Sequence, residues 1–282
     1  MPPQFTKFHG LGNDYLVIEA EQLAGVGDLG QFAQRICNRH YGAGGDGIAI
    51  VGKLSNDEQA DFTCRIFNPD GSEAGLSGNG TRCAVAYLHY HGLWDKHELR
   101  LSTRTGVKRY FLRATMGPGK YMFDSELGQP KFDSRSIPMA LDPPLESVID
   151  YPFEDLRITA LQMGNPNCCI FVDNFSDLDW QSIGKRIENH PMFPERTNVV
   201  FVRVAAEKRI ELRIWERGVG ETTASGSCSC AAAVAAMVNK KTRRILIAAM
   251  EGGEVQIRWQ MHDDQVVISG SAEVVYSGQW LA

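Results

Sequence analysis

Two glycine-rich turns in this chain are copies of one another, and each presents a serine in a setting suited to chemistry. The first reads Arg65-Ile66-Phe67-Asn68-Pro69-Asp70-Gly71-Ser72-Glu73 and closes on Ser77-Gly78-Asn79-Gly80. The second reads Arg213-Ile214-Trp215-Glu216-Arg217-Gly218-Val219-Gly220-Glu221 and closes on Ser225-Gly226-Ser227-Cys228. Arg-Ile-aromatic, then Glu, then Ser-Gly recur at one register, 148 residues apart. A duplicated site can set two like groups face to face, so that a reaction proceeds from two sides. Each serine stands immediately before a helical pattern, where free backbone N–H groups and the positive end of the helix dipole suit an anion. Glycine there lets a ligand approach the backbone closely. The competing role is a plain helix N-cap, for which serine is among the best residues.

Amides surround the pair. Asn13, Asn68, Asn165 and Asn198 fall in turns or at strand ends, with Asn79 in the first turn itself. Each alone could be local turn chemistry; their duplication points to a polar ligand cleft. Glu216 and Arg217 add a carboxylate and a guanidinium side by side, able to hold the ammonium and carboxylate of an amino acid.

The elements that must position these groups also repeat. In the first half the turn 9–14 precedes a strand at 15–18, then a helix at 29–39, a glycine turn at 42–47 and a strand at 48–51. A strand at 62–67 leads into the duplicated turn and a helix at 79–91, whose Cys83, Ala84, Tyr87 and Leu88 share one face. Strands are expected at 98–103, 107–115 and 120–124. The proline-rich, aperiodic stretch 128–152 reads as the crossing between domains. The second half gives strands at 158–162 and 168–172, a helix at 180–189, a strand at 199–204, the second turn and a small-residue helix at 227–238. Strands at 266–269 and ending near 276 are expected to return to the first domain. Strand-rich halves with one central apolar helix each indicate an α+β fold.

Composition narrows the partners. The chain has 282 residues and a formal net charge of −5, with no basic cluster beyond Lys240-Lys241 and Arg243-Arg244, which suits the end of the preceding helix. Nucleic acid and an anionic membrane surface are therefore not expected partners. No stretch approaches the roughly 20 apolar residues of a membrane span, and the first residues have no signal-peptide pattern. Seven cysteines without a CxxC pair match no zinc pattern and read as reduced, buried thiols of a cytoplasmic protein. Neither a metal cluster nor a dinucleotide fingerprint is present, so no cofactor is expected.

Several long motifs in order resemble the diaminopimelate epimerase family over almost the whole chain. They are Lys-Phe-His-Gly-Leu-Gly-Asn-Asp-Tyr at 7–15, Asn-Arg-His-Tyr-Gly-Ala-Gly-Gly-Asp-Gly at 38–47, and Phe-Asn-Pro-Asp-Gly-Ser-Glu-Ala at 67–74. Ser-Gly-Asn-Gly-Thr-Arg-Cys at 77–83, Met-Gly-Asn-Pro at 163–166, Phe-Pro-Glu-Arg-Thr-Asn-Val at 193–199 and Trp-Glu-Arg-Gly-Val-Gly-Glu-Thr at 215–222 complete the set. The resemblance implies two pseudo-symmetric α+β domains, each a strongly curved mixed sheet or barrel around a central helix, with the ligand cleft between them. It places the first at 1–125 plus 268–282 and the second at 126–267. It also implies a cofactor-independent epimerase of diaminopimelate (L,L to meso) or a similar small amino acid, with a homodimer expected.

In the family two cysteines act on opposite faces of the α-carbon, one removing its proton while the other supplies a new one. Thiols suit this because their pKa, about 8.5, is close to working pH and falls at helix N-termini. Here the matching positions are Ser77 and Ser225, with Glu216 matching the family's assisting carboxylate. Serine is a far weaker acid and needs an adjacent base. The family's histidine after Asn-Pro is Asn167, which cannot accept a proton. Asn13, Asn68, Gly78, Asn79, Asn165, Asn198, Glu216, Arg217, Gly226 and Ser227 match positions for substrate contact. Cys228, in the first helical turn, is either a displaced base or a packing residue, and Cys83 is a packing residue. Two other functions fit the altered residues: an isomerase using a carboxylate from Glu73, Glu216 or Glu221, as in the phenazine-biosynthesis relatives, or an amino-acid-binding protein without turnover.

Overall fold

The computed structural model describes residues 2–55, 57–75 and 77–281. The chain divides into two compact units, residues 1–125 with 269–282, and residues 126–268.

The first unit opens with β1 (Gln4–Gly10) and β2 (Asn13–Glu19), an antiparallel hairpin closed by Leu11 and Gly12. Both turn residues have positive φ, 58° and 81°, the type I′ geometry that matches the twist of paired strands. Asp28 then caps α1 (Leu29–Cys37), accepting from the backbone N–H groups of Gly30 and Gln31. β3 (Gly47–Lys53) lies parallel to β2, and β4 (Phe62–Phe67) antiparallel to β3. The short β5 (Glu73–Ala74) pairs with the end of β4 and is followed by α2 (Gly78–Tyr90). β6 (Glu98–Thr103) runs parallel to β4, and β7 (Gly106–Thr115) and β8 (Lys120–Gly128) follow as antiparallel neighbours.

The second unit repeats this sequence of pairings. β9 (Tyr151–Phe153) and β10 (Leu156–Met163) are antiparallel, and β10 turns at Gly164 into β11 (Asn165–Phe171). After α3 (Trp180–Glu188), β12 (Asn198–Ala206) lies parallel to β11 and β13 (Arg209–Glu216) antiparallel to β12. β14 (Gly220–Thr222) pairs with the end of β13 and leads to α4 (Gly226–Val238). β15 (Ile245–Met250) runs parallel to β13, with β16 (Gly253–Trp259) antiparallel to it. The last strand, β17 (Val266–Gln279), pairs with β1 and β8, closing β1, β2, β3, β4, β6, β7, β8 and β17 of the first unit into a ring. A closed sheet leaves no free edge.

Each unit wraps its sheet around one helix. In α2 the residues from Asn79 to Leu88 are buried, including Cys83, Ala84, Tyr87 and Leu88. In α4 every residue from Cys228 to Ala236 is solvent-inaccessible. Its Ala231–Ala236 run lets strands close around it, which larger side chains would prevent.

Three sequence expectations change. The stretch 128–152 is not a bare crossing: Ile137, Met139 and Val148 are buried in the second core beside Phe153 and Ile158. Its backbone is tied down by bonds such as Ser134 N to Leu145 O and Ala160 N to Val148 O. The two strands expected after residue 265 are one, β17. β1, β13, β15 and β16, with the short β5, β9 and β14, appear where the sequence reading assigned no strand.

Candidate active site

The two serines occupy equivalent backbone positions and use their hydroxyls differently. Ser77 and Ser225 are the N-caps of α2 and α4, both extended, with φ/ψ of −128°/118° and −146°/123°. Ser77 Oγ accepts a hydrogen bond from Gly80 N at 3.0 Å, so its side chain caps the helix. It also lies 2.9 Å from the Tyr15 hydroxyl. Burial pushes the Tyr15 phenol well above its ordinary range, keeping it neutral. Ser225 makes no side-chain cap. Its hydroxyl instead donates to Glu216 Oε2 at 3.0 Å. Capping therefore accounts for the first serine's hydroxyl and not for the second's.

Glu216 stands at the end of β13 and accepts a second bond, from Thr222 Oγ1 at 2.8 Å. Burial raises its affinity for a proton, and the Thr222 and Ser225 bonds only partly offset this. A raised carboxyl bonded to a hydroxyl is a candidate for proton transfer. Among the other candidate carboxylates, Glu73 is held by Arg65 at 2.9 Å through both oxygens. The Arg65 bonds hold Glu73 below the usual carboxylate range, which removes it as a neutral-pH acid. Glu221 is exposed, and the Ser225 hydroxyl donates to Glu216 instead.

In the second unit the amides form one network. Asn167, fully buried, donates to Asn165 O at 2.6 Å and accepts from Asn198 Nδ2 at 3.2 Å. Asn198 Oδ1 in turn receives Arg217 N at 2.9 Å. The Arg217 guanidinium reaches Glu195 O at 3.1 Å and Asn165 Oδ1 at 3.4 Å. Asn165, Asn198 and Arg217 are thus brought together, and Asn167 joins them as a bridging amide. Gly226 and Ser227 form the first turn of α4, partly accessible beside buried Ser225.

In the first unit Asn13 and Asn79 are brought together: Asn79 Nδ2 donates to Asn13 Oδ1 at 3.2 Å. Buried Arg82 donates to Asn79 Oδ1, and Asp46 receives the Asn13 amide at 2.6 Å. Asn68 is not joined to them. Its amide donates to Ser72 Oγ at 3.0 Å and its N–H to Ser72 O at 2.9 Å, which closes the turn before β5. Gly78, exposed, is the first residue of α2.

The surroundings of Cys228 are those of a packing residue. It is solvent-inaccessible, and burial, reinforced by the nearby Glu216 charge, raises its thiol well above the ordinary value. Cys83 is equally buried, with its thiol pushed up to about 12. The sequence reading missed Tyr15, Asn167 as a bridge, and Glu188, which reaches this turn from α3. Asn167 carried the one available signal, as a departure from the family pattern. No group of three or more His, Cys, Asp or Glu side chains suited to a metal occurs among the described residues.

The fold defines the class. A phenazine-biosynthesis protein of the PhzF family from Bacillus anthracis superposes with a TM-score of 0.68 at 18% identity, covering 100% of both chains. A hydroxyproline epimerase from Agrobacterium vitis, with bound trans-4-hydroxy-L-proline, superposes at 0.65 and 12% identity over 98% of this chain and 90% of its own. The chain therefore shares the fold of these two proteins. The profile of the family described as diaminopimelate epimerase matches residues 5–125 and 159–275. Diaminopimelate epimerase of Pelotomaculum thermopropionicum is 39% identical over 98% of both chains, and that of Synechocystis sp. 36% identical over 99% of both. The chain belongs to the diaminopimelate epimerase family. No helix among the described residues is long and apolar enough to cross a membrane.

Proposed function

We propose that this chain epimerises diaminopimelate, interconverting its L,L and meso forms without a cofactor, and that hydroxyl and carboxylate groups do the work thiols do in the family pattern. The substrate is supported by the names of full-length relatives. The observation that carries the chemistry is the bond from Ser225 Oγ to Glu216 Oε2, made by a serine whose hydroxyl is free of capping.

Inversion needs a base on one face of the α-carbon and an acid on the other. On one side Ser225 Oγ takes the α-proton as its own proton passes to Glu216, and the C–H electron pair stays on carbon. On the other, the Ser77 hydroxyl delivers a proton to that carbon. The oxygen left behind on Ser77 then accepts from Gly80 N and the Tyr15 hydroxyl, donors that favour the charged form. The return direction reverses both transfers. Arg217 supplies a fork for the substrate carboxylate, and Gly226 and Ser227 offer backbone N–H groups at the α4 N-terminus. Asn13, Asn79, Asn165 and Asn198 complete the polar contacts, and Gly78 leaves the α2 N-terminus open to a ligand. Asn68 is assigned to turn closure rather than to the ligand. Seven buried cysteines, none in a disulfide, support the reading of a cytoplasmic protein. The reading includes a homodimer, which sedimentation equilibrium checks.

Ligand capture without turnover is the competing reading. One observation favours it: Ser77 Oγ already accepts from Gly80 N. Incubation with L,L- and meso-diaminopimelate in deuterium oxide, followed by NMR, separates the two. Deuterium at the α-carbon with appearance of the other isomer is expected. Binding by calorimetry with no exchange would leave a binding protein and sink the epimerase.

A further inference from the structure

Glu188, the last residue of α3, is a buried carboxylate that the proposed chemistry does not use. It is 5% exposed. Its oxygens receive three donors: Arg196 Nη1 at 3.0 Å and Gly218 N at 2.7 Å on Oε1, and Trp215 Nε1 at 2.8 Å on Oε2. Two of these donors, Trp215 and Gly218, flank Glu216 and Arg217 in sequence. Between them, the N–H of Arg217 is held by Asn198 Oδ1, and the carbonyl of Glu216 accepts from Val219 N at 3.0 Å. The turn that carries the acid–base carboxylate and the guanidinium is therefore tied at consecutive backbone groups, and Glu188 supplies the tie at both ends.

The local backbone agrees. Gly218 has φ 76°, a conformation open to glycine, and Arg196 is held at φ 59°, unfavourable for an arginine. A Cβ at Gly218 would come 3.4 Å from Arg196 Nη2. Such conformations persist where surrounding bonds over-determine them, and here both meet on one carboxylate.

We infer that Glu188 is a positioning residue: it fixes the 215–218 turn so that Glu216 faces Ser225 and Arg217 keeps its place for a carboxylate. The inference rests on the reading that Glu216 and Arg217 serve the reaction. Bonds to an ionised carboxylate are roughly twice as strong as neutral ones. Gln at this position presents an N–H₂ to groups that can only donate, so at least one tie is lost; Asp keeps both acceptors on a shorter stem.

The test compares the full chain with Glu188→Gln and Glu188→Asp by carbon NMR titration of Glu216, calorimetry with meso-diaminopimelate, and α-proton exchange. In Glu188→Gln the Glu216 titration is expected to move down toward the ordinary carboxylate range as the turn loosens. KM should rise about ten- to a hundredfold, the effect of losing one charge-assisted bond, and kcat should fall with it. Glu188→Asp should recover part of both. If Glu188→Gln does not fold, the Asp variant is read alone, against the same expectations at smaller amplitude. Variants that melt at lower temperature yet keep the wild-type Glu216 titration and KM would overturn the inference, since Glu188 would then only stabilise the unit. Wild-type protein that neither binds nor exchanges diaminopimelate would defeat the functional reading, while the Glu216 titration would still decide on Glu188.

Discussion

At the scale of single residues, both serines should be needed for exchange, but the same substitution should cost stability at only one of them. Ser77→Ala removes a side chain that caps α2 through Gly80 N, so stability should fall by about 1 kcal/mol, visible in urea unfolding. Ser225→Ala removes no cap and should change stability little, yet it cuts the link to Glu216 and should lower exchange by about 10²–10⁴-fold. Equal stability losses in the two variants would contradict the division of roles. Glu216 gives a pH signature whose sign follows from burial. Its proton is held more tightly in the folded than in the unfolded chain. The native state is therefore favoured fully below the unfolded carboxylate value, about 4.3, and that advantage is lost as pH rises through the higher folded value. Glu216→Gln, neutral throughout, should match wild type in acid and become the more stable protein above the folded value, while losing exchange. Urea unfolding at pH 4 and pH 8 checks this; a difference that does not grow with pH would place Glu216 in water.

Among the elements, the β1–β2 hairpin depends on a charge cluster. Buried Asp14 accepts from Lys7 at 2.7 Å and from Arg39 at 2.7 Å, and Asp46 shares Arg39 and holds the Asn13 amide. Burial alone would raise the Asp14 carboxyl, but the Arg39 and Lys7 bonds outweigh it and hold the group below the usual range. The Asp14 contribution is thus present above the unfolded carboxylate value and lost as pH falls. Asp14→Asn leaves the Lys7 ammonium, 12% exposed at its side chain, without its charge partner. The expected cost is about 3–5 kcal/mol, read as a lower urea midpoint at pH 7 and a smaller difference in acid. This cluster also shows what the sequence could not reveal. β4 and α2 were legible because their apolar residues repeat at the period of the element, as in Cys83, Ala84, Tyr87 and Leu88, and α4 because of its unbroken run of small residues. β1 was not, since Lys7 and His9 interrupt its pattern, and the partners of Lys7, Asp14 and the Gly44 carbonyl, lie outside the strand. The stretch 128–152 hid its core residues for a related reason: Ile137, Met139 and Val148 follow no period and are buried by irregular backbone. In the site, duplication exposed Ser77, Ser225 and Glu216. Their hydrogen-bond choices stayed hidden because Tyr15 and Glu188 come from distant positions in the chain.

Over the whole molecule, one order of strands and helices occurs twice, and the copies differ in how the serine before the central helix is used. The strand pairings and the central helix preceded by an extended serine recur, so the difference between a capping hydroxyl and one given to a carboxylate lies in the neighbours rather than the backbone. The same view places the cysteines. All seven are buried and none is in a disulfide, and burial pushes Cys64 and Cys83 up to about 12. The family pattern assigns catalysis to thiols that must be accessible and readily ionised. Here that requirement is met by no cysteine, because the helix-start positions hold serine and Cys228 sits one turn too deep. The native protein should therefore be nearly inert to iodoacetamide at pH 8, with its exchange activity unchanged after treatment. In guanidinium the thiols should become reactive together as the cores open, each unit burying its own set. Rapid loss of exchange on alkylation, with a single modified cysteine by mass spectrometry, would show that a thiol does act, and Cys228→Ala would then be the variant that identifies it. Retained activity with no modification would leave Ser225 and Glu216 as the acid–base pair.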